Sequence, residues 1–357
     1  MSNLFPEAKK KLGFGCMRLP MKDGEVVHED FCKMVDAFMG AGFNYFDTAR
    51  VYLNGKSETA IRECVAKRYP RDSFVVANKL SQSCFEKEED ILPFFESQLE
   101  ALGVDYIDVY LLHALNRDNY EKKYTPTHAF EIVEELVRQG KVRHYGFSFH
   151  DNAETLDKIL TEHPSVEFVQ LQFNYLDFED EGVQSKLCYE VCRRHGKKVI
   201  VMEPVRGGRL ANLPPVAKKY FDELGEMSPA SYALRFAAGF EGIEMVLSGM
   251  SNIEQVEDNI SFMADVVPLN ESEREAVGKV CDILKNQGVV ACTGCNYCVD
   301  GCLMSINIPA YFAYTNAKAL GLEAEEYSGV SPEECVECGQ CETACPQHLK
   351  IRELLKK

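Results

Sequence analysis

The chain has 357 residues and is 46% hydrophobic, enough for at least one large core and more than one ordinary domain holds, so two domains are expected. Its 39 basic residues against 56 acidic ones leave a net charge of −17, which repels a phosphate backbone or an anionic membrane surface and excludes nucleic acid as a partner. The N-terminus has no basic stretch followed by an apolar run, and nowhere do about 18 apolar residues run together, so an unexported, cytoplasmic protein without a membrane partner is expected.

In chain order, short apolar or β-branched runs occur at residues 12–17, 43–47, 74–79, 106–113, 144–148, 168–172, 198–203 and 244–248. Between them, segments such as 28–40, 57–68, 88–102 and 127–138 carry apolar residues at i, i+3, i+4 and i+7. Strand and helix alternate, which predicts a parallel sheet of the α/β class. Eight units over about 260 residues suit a closed (β/α)8 TIM barrel better than an open doubly wound sheet, and no G-x-G-x-x-G follows any strand. Asp47, Lys79, His113, Ser148 and Glu203 all fall at C-terminal strand ends, the face on which such a barrel builds its site. The alternation stops around residues 267–288, where a charged helix over 271–285 intervenes. The barrel is therefore assigned to residues 1–268, and a helical linker with a small C-terminal α-rich domain to 269–357.

Eight of the fifteen cysteines crowd between Cys292 and Cys345, while seven scatter through the first 281 residues. Cys292-x2-Cys295-x2-Cys298-x3-Cys302 and Cys335-x2-Cys338-x2-Cys341-x3-Cys345-Pro346 both follow the bacterial ferredoxin spacing, which predicts a ferredoxin-like domain with two [4Fe–4S] clusters. Zinc sites use ligand pairs separated by a longer spacer and fit poorly. In the ferredoxin pattern the fourth cysteine of each run crosses over. One cluster then takes Cys292, Cys295, Cys298 and Cys345, and the other takes Cys335, Cys338, Cys341 and Cys302. Such ligation belongs to a reducing compartment. The scattered cysteines, Cys188 and Cys192 included, read as ordinary packing.

Asp47-Thr48-Ala49-Arg50-Val51-Tyr52, with Glu58 behind it, sets an acid and a phenol on one loop, and barrel closure would bring Lys79 and His113 to them. With Gly13-Phe14-Gly15 in the first strand and Gly249-Met250-Ser251, Glu254, Gln255 and Asn259 after the eighth, these segments resemble the aldo-keto reductase family over residues 12 to 263. The resemblance implies reversible NAD(P)H-dependent reduction of an aldehyde or ketone to an alcohol. Hydride delivery to a carbonyl carbon leaves negative charge on oxygen, so a donor must meet it. Tyr52 is that donor. A free phenol titrates near pH ~10, so the Lys79 ammonium is expected to bring it down, with Asp47 fixing Lys79 and His113 orienting the carbonyl.

By the same resemblance, Ser148 and Gln170 hold the nicotinamide carboxamide, and Met202 takes the place of an aromatic ring on its face. Gly15, Cys16, Met17, Glu203, Pro204, Val205, Arg206, Gly208, Gly249, Met250, Ser251, Gln255, Asp258 and Asn259 complete the cofactor contacts. Gly249 and Gln255 stand where many members place a Lys and an Arg against the 2′-phosphate. The choice between NADP(H) and NAD(H) is thus open, with Arg206 and Arg209 as alternative sources of charge. The substrate pocket is expected from loops 113–124 and 206–210, with Met17, Leu115, Asn116 and Tyr175 lining it. Three roles stand open for the clusters: structural, sensing, or electron transfer with a ferredoxin or another redox protein. The alternative to carbonyl reduction is an electron-transfer or redox-sensing protein whose barrel binds nicotinamide without turnover.

Overall fold

A computed structural model describes residues 3–356, apart from 300, 322 and 325. All eight expected strands form. β1 (Leu12–Gly15), β2 (Tyr45–Asp47), β3 (Val75–Leu80), β4 (Ile107–Leu115), β5 (Val142–Phe149), β6 (Phe168–Gln172), β7 (Lys198–Met202) and β8 (Ile243–Gly249) close into a barrel in which every neighbouring pair is parallel and β8 returns to β1. A small antiparallel hairpin, Met21–Lys22 with Glu25–Val26, follows β1. Two residues per strand are too few for a period of two to register in the sequence.

Side chains alternate across a strand, so residues two apart along each strand enter the barrel together. Tyr45, Val75, Ala77, Val109, Leu111, Phe168, Ile200, Met245 and Leu247 fill the interior, and Phe5 from the N-terminal segment packs with them. The intervening residues, among them Phe14, Phe46, Val76, Tyr110, Phe147 and Val246, face outward into the larger core under the helices. Two residues further along, the inward series reaches Asp47, Lys79, His113, Gln170, Met202 and Gly249. The chemical layer is thus the last inward layer of the barrel.

The helix Glu271–Lys285, grouped by sequence with the C-terminal domain, packs on the barrel's own helices. Ala276, Val277, Val280 and Leu284 share a core with Leu210, Phe221 and Tyr232. Arg235 grips its Glu273 with two hydrogen bonds of 2.7 and 2.9 Å, both groups buried. The cysteine module follows, with a core of its own from Ile306, Ile308, Phe312, Ile351 and Leu355. Among the described residues, no helix is long and apolar enough to cross a membrane.

The module sits on the barrel mouth. Arg18 Nη2 donates to the Thr293 carbonyl at 2.8 Å, and the amides of Gln172 and Gln347 bond each other reciprocally at 3.0 and 2.6 Å. Gly207, at φ +64°, lies so close that a Cβ there would stand 2.4 Å from the Thr293 carbonyl oxygen. The scattered cysteines are not all simple packing: Cys32 and Cys64 form a disulfide between the helix His28–Gly40 and the turn that follows Lys56–Ile61, their Cα atoms 4.8 Å apart. Cys188 and Cys192 are free and buried.

Gly207→Ala should loosen this docking, because the new methyl meets backbone that cannot rotate away and must also adopt a left-handed φ. Hydrogen exchange should then rise across residues 292–298 and 343–348 while the barrel strands stay protected. Unchanged protection of both segments would refute the close approach.

Candidate active site

Asp47 and Lys79 end neighbouring strands, and the Lys79 Nζ donates to Asp47 Oδ1 at 2.7 Å and to the Thr48 carbonyl at 2.8 Å. Both side chains are buried. Burial pushes the Asp47 carboxyl up and the Lys79 ammonium down, and each partner opposes that shift in the other. Tyr52 opens a short turn, Tyr52–Gly55, whose Leu53 and Asn54 take positive φ, and its ring lies 4.8 Å from the Lys79 Nζ. His113 meets the Tyr52 ring edge-on with centroids 6.0 Å apart. All four residues line one cavity.

The expected lowering of the Tyr52 phenol by Lys79 is not found. Burial first, and the Asp47 carboxylate second, hold it well above its usual value. The physical reason is that burial strips the phenol of water and the Asp47 charge opposes a phenolate, while the Lys79 ammonium is engaged by Asp47 and a carbonyl. His113 is pushed well below its ordinary value, by burial first and by Lys79 second, and stays neutral. Its Nδ1 lies 2.7 Å from Ser81 Oγ. With Ser81 donating there, Nε2 carries the proton and points into the cavity.

A buried set of polar groups holds this layer from behind. The Glu58 carboxylate accepts from Asn78 Nδ2 at 2.8 Å and from Gln98 Nε2 at 3.3 Å, and pairs with Arg50. Gln98 also donates to the Lys79 carbonyl at 3.0 Å and accepts from the Tyr110 hydroxyl at 2.6 Å. The backbone carrying Lys79 is therefore held from behind the strand.

Gly15, Met17, Ser148, Gln170, Met202, Glu203 and Gly249 line the cavity with the four. Ser148 Oγ accepts from the Ala114 N–H at 2.7 Å, leaving its proton free, and the buried Gln170 Oε1 has no partner. A groove of about 450 Å³ leads away between the β7 and β8 loops, lined by Glu203, Pro204, Val205, Gly208, Gly249, Ser251, Gln255, Asp258 and Asn259. Three expected contacts do not reach either space. Cys16 and Met250 turn into the hydrophobic core, and Arg206 is held by Asp177 through Nε at 2.8 and 3.0 Å. Arg206 thus braces its loop, and Arg209 donates to the Leu284 carbonyl at 3.1 Å. Of the expected pocket residues, Met17 and Asn116 line cavities, whereas Leu115 and Tyr175 are buried in the core.

Sequence reading missed Arg18, Ser81 and the module's own contribution. Arg18 is the basic side chain on the groove, 3.8 Å from Glu203. Thr293, Cys295, Tyr297, Pro346 and Gln347 of the module close the tetrad cavity from above. No local pattern marks any of these, since each acts across a long sequence separation.

In the module, burial raises the Cys295 and Cys298 thiols, and Cys292 and Cys345 are near enough to both to add to it. Cys335 and Cys338 do the same to Cys341. Backbone N–H groups of Gly294 and Ile306 point at the sulfurs of Cys292 and Cys302 at 3.4 Å. Crowded thiols with inward N–H donors suit metal-bound thiolates, whose charge the iron offsets.

The model of the aldo/keto reductase family matches residues 11–282, and that of a 4Fe-4S dicluster domain matches residues 291–349. The L-galactose dehydrogenase of Arabidopsis thaliana is 25% identical over 295 residues, covering 77% of this chain and 90% of that protein. The NADH-specific methylglyoxal reductase of Escherichia coli is 26% identical over 267 residues, covering 62% and 79%. Among solved structures, the holo form of an aldo-keto reductase from Bacillus halodurans superposes with a TM-score of 0.61 at 25% identity, covering 76% of this chain and 91% of the other.

Asp47→Ala should destabilise the fold by about 3–5 kcal/mol, because Lys79 would be left charged, buried and unpaired. Adding Lys79→Met should recover most of that loss. Anaerobic chemical unfolding of the single and double variants checks both expectations.

Proposed function

Because the chain belongs to the aldo/keto reductase family, we propose that it interconverts an aldehyde or ketone with the corresponding alcohol, using a nicotinamide dinucleotide. The observation that carries this reading is the convergence of Asp47, Tyr52, Lys79 and His113 on one cavity beside the unpartnered Gln170 oxygen. Ser148 and Gln170 would hold the carboxamide, Met202 would lie against the ring, and the groove would take the rest of the dinucleotide. When bound, the reduced ring supplies a hydride.

The chain's own groups do the remainder. Tyr52 keeps its proton at neutral pH and can give it to an oxygen on which charge develops, since an alkoxide is more basic than even a raised phenol. With Ser81 donating to Nδ1, His113 donates through Nε2 and fixes that oxygen's position. Lys79, fixed by Asp47, lies beneath the phenol ring. In the module, Cys292, Cys295, Cys298 and Cys345 would hold one [4Fe–4S] cluster, and Cys335, Cys338, Cys341 and Cys302 a second. Iron–sulfur centres supply one-electron redox chemistry that hydride transfer does not require, so we assign the module a structural role over the barrel mouth.

The groove carries one basic side chain, Arg18, against Glu203, Glu254 and Asp258 among its described lining residues. Arg18 is engaged by Glu203 and the Thr293 carbonyl. An added 2′-phosphate would meet net negative charge, which favours NAD(H) over NADP(H).

Anaerobic turnover of an aldehyde and ketone panel tests the reading. Tyr52→Phe should lower kcat by about 10²-fold or more, and kcat/KM with NADH should exceed that with NADPH. Cluster-loaded protein that binds NADH yet reduces no carbonyl would favour the electron-transfer alternative. The rate of reduction should stay flat from about pH 6 to about pH 9, because His113 is already neutral at the lower end and Tyr52 still protonated at the upper. A limb centred near the ordinary histidine value would refute the assignment of His113.

A further inference from the structure

Tyr297 stands between two cysteines of the module, Cys295 and Cys298, yet its side chain belongs to the barrel's cavity. The loop turns it there: Gly294 and Asn296 both adopt φ +66° just before it. Its ring meets His113 edge-on with centroids 6.2 Å apart, and its hydroxyl lies 3.4 Å from His113 Nε2. Tyr52 lines the same cavity, close enough for Tyr297 to act on its phenol. A carbonyl oxygen that is to bond His113 Nε2 beside Tyr52 competes with this hydroxyl for its place. Hydroxyl and carbonyl oxygen cannot both be there.

Space for an exchange exists next to it. A second cavity of about 260 Å³ opens from His113 and Tyr297 between the two parts of the molecule. Ser81, Asn116 and His150 form its barrel wall, and Thr343 and His348 belong to its module wall. It adjoins the tetrad cavity through His113, His150, Tyr297 and Pro346, which line both.

We propose that Tyr297 is a specificity-determining gate that the cysteine module lends to the barrel: its hydroxyl fills the seat of the substrate's carbonyl oxygen, and a substrate binds by displacing it. This rests on the reading of Tyr52 and His113 given above. The closed arrangement taxes every carbonyl ligand by the fraction of molecules in which the seat is open, so affinity falls by that factor while the groove that would take the dinucleotide is untouched. Ligands able to recover both hydrogen bonds are admitted. Apolar ones that cannot are refused.

The test uses the iron-loaded, full-length protein under anaerobic conditions, with Tyr297→Ala and Tyr297→Phe beside the unaltered chain. The KM for glyceraldehyde and the dissociation constant for acetate, read by calorimetry on NAD-loaded protein, should fall together by about tenfold in Tyr297→Ala. They should fall less in Tyr297→Phe, which keeps the ring and loses the hydroxyl. The NADH dissociation constant and iron content should match those of the unaltered protein. Values that stay the same overturn the gate, and raised values overturn it by making Tyr297 a group that holds substrate. Should Tyr297→Ala lose its iron, Tyr297→Phe decides alone. If the unaltered protein shows no Tyr52-dependent turnover, the functional reading fails separately, and acetate calorimetry still judges the gate.

Discussion

The pairing of Lys79 with Asp47 inside the barrel mouth is the constraint on which the site depends. Two charges removed from water are tolerated only if each is met at close range, and here the ammonium is met by Asp47 Oδ1 at 2.7 Å and the Thr48 carbonyl at 2.8 Å. That requirement ties β2 to β3 at their C-terminal ends and sets the level at which the Tyr52 turn begins. It also sets the electrostatics. Burial, with the Asp47 carboxylate adding to it, holds the phenol above its usual value, so it keeps its proton.

The neutral His113 follows from the same geometry. The loss of water and Lys79 nearby both disfavour an imidazolium, so His113 is held neutral. Ser81 holds the ring in place through Nδ1 at 2.7 Å. Behind the layer, Glu58, Gln98, Asn78 and Tyr110 hold the β3 backbone by hydrogen bonds that are themselves buried, which limits the freedom of the chemical groups to shift.

The cysteine module completes this site from the open side. Its loop reaches Arg18 and Gly207 through Thr293 and the tetrad through Tyr297, while Gln347 bonds the end of β6. The cysteines at 292, 295, 298 and 345 lie in the two segments that cover the cavities.

The eight strands, the helices at 28–40, 88–102 and 271–285, and the convergence of Asp47, Tyr52, Lys79 and His113 were legible in the sequence. The reason is that the period of a strand is a local property: once a hydrophobic residue is known to point inward, the residue two further on points inward as well. The cysteine spacing was legible for the same local reason, a short loop wrapping one group. The tertiary structure alone decided which way Cys16, Met250 and Arg206 turn, that Cys32 meets Cys64, that helix 271–285 lies on the barrel, and that Arg18, Ser81 and Tyr297 border the site. Tyr297 and His113 are separated by 184 positions, and nothing in either neighbourhood encodes the other. Their meeting is fixed by how two separately packed bodies dock, a sum of many weak contacts that no periodicity carries.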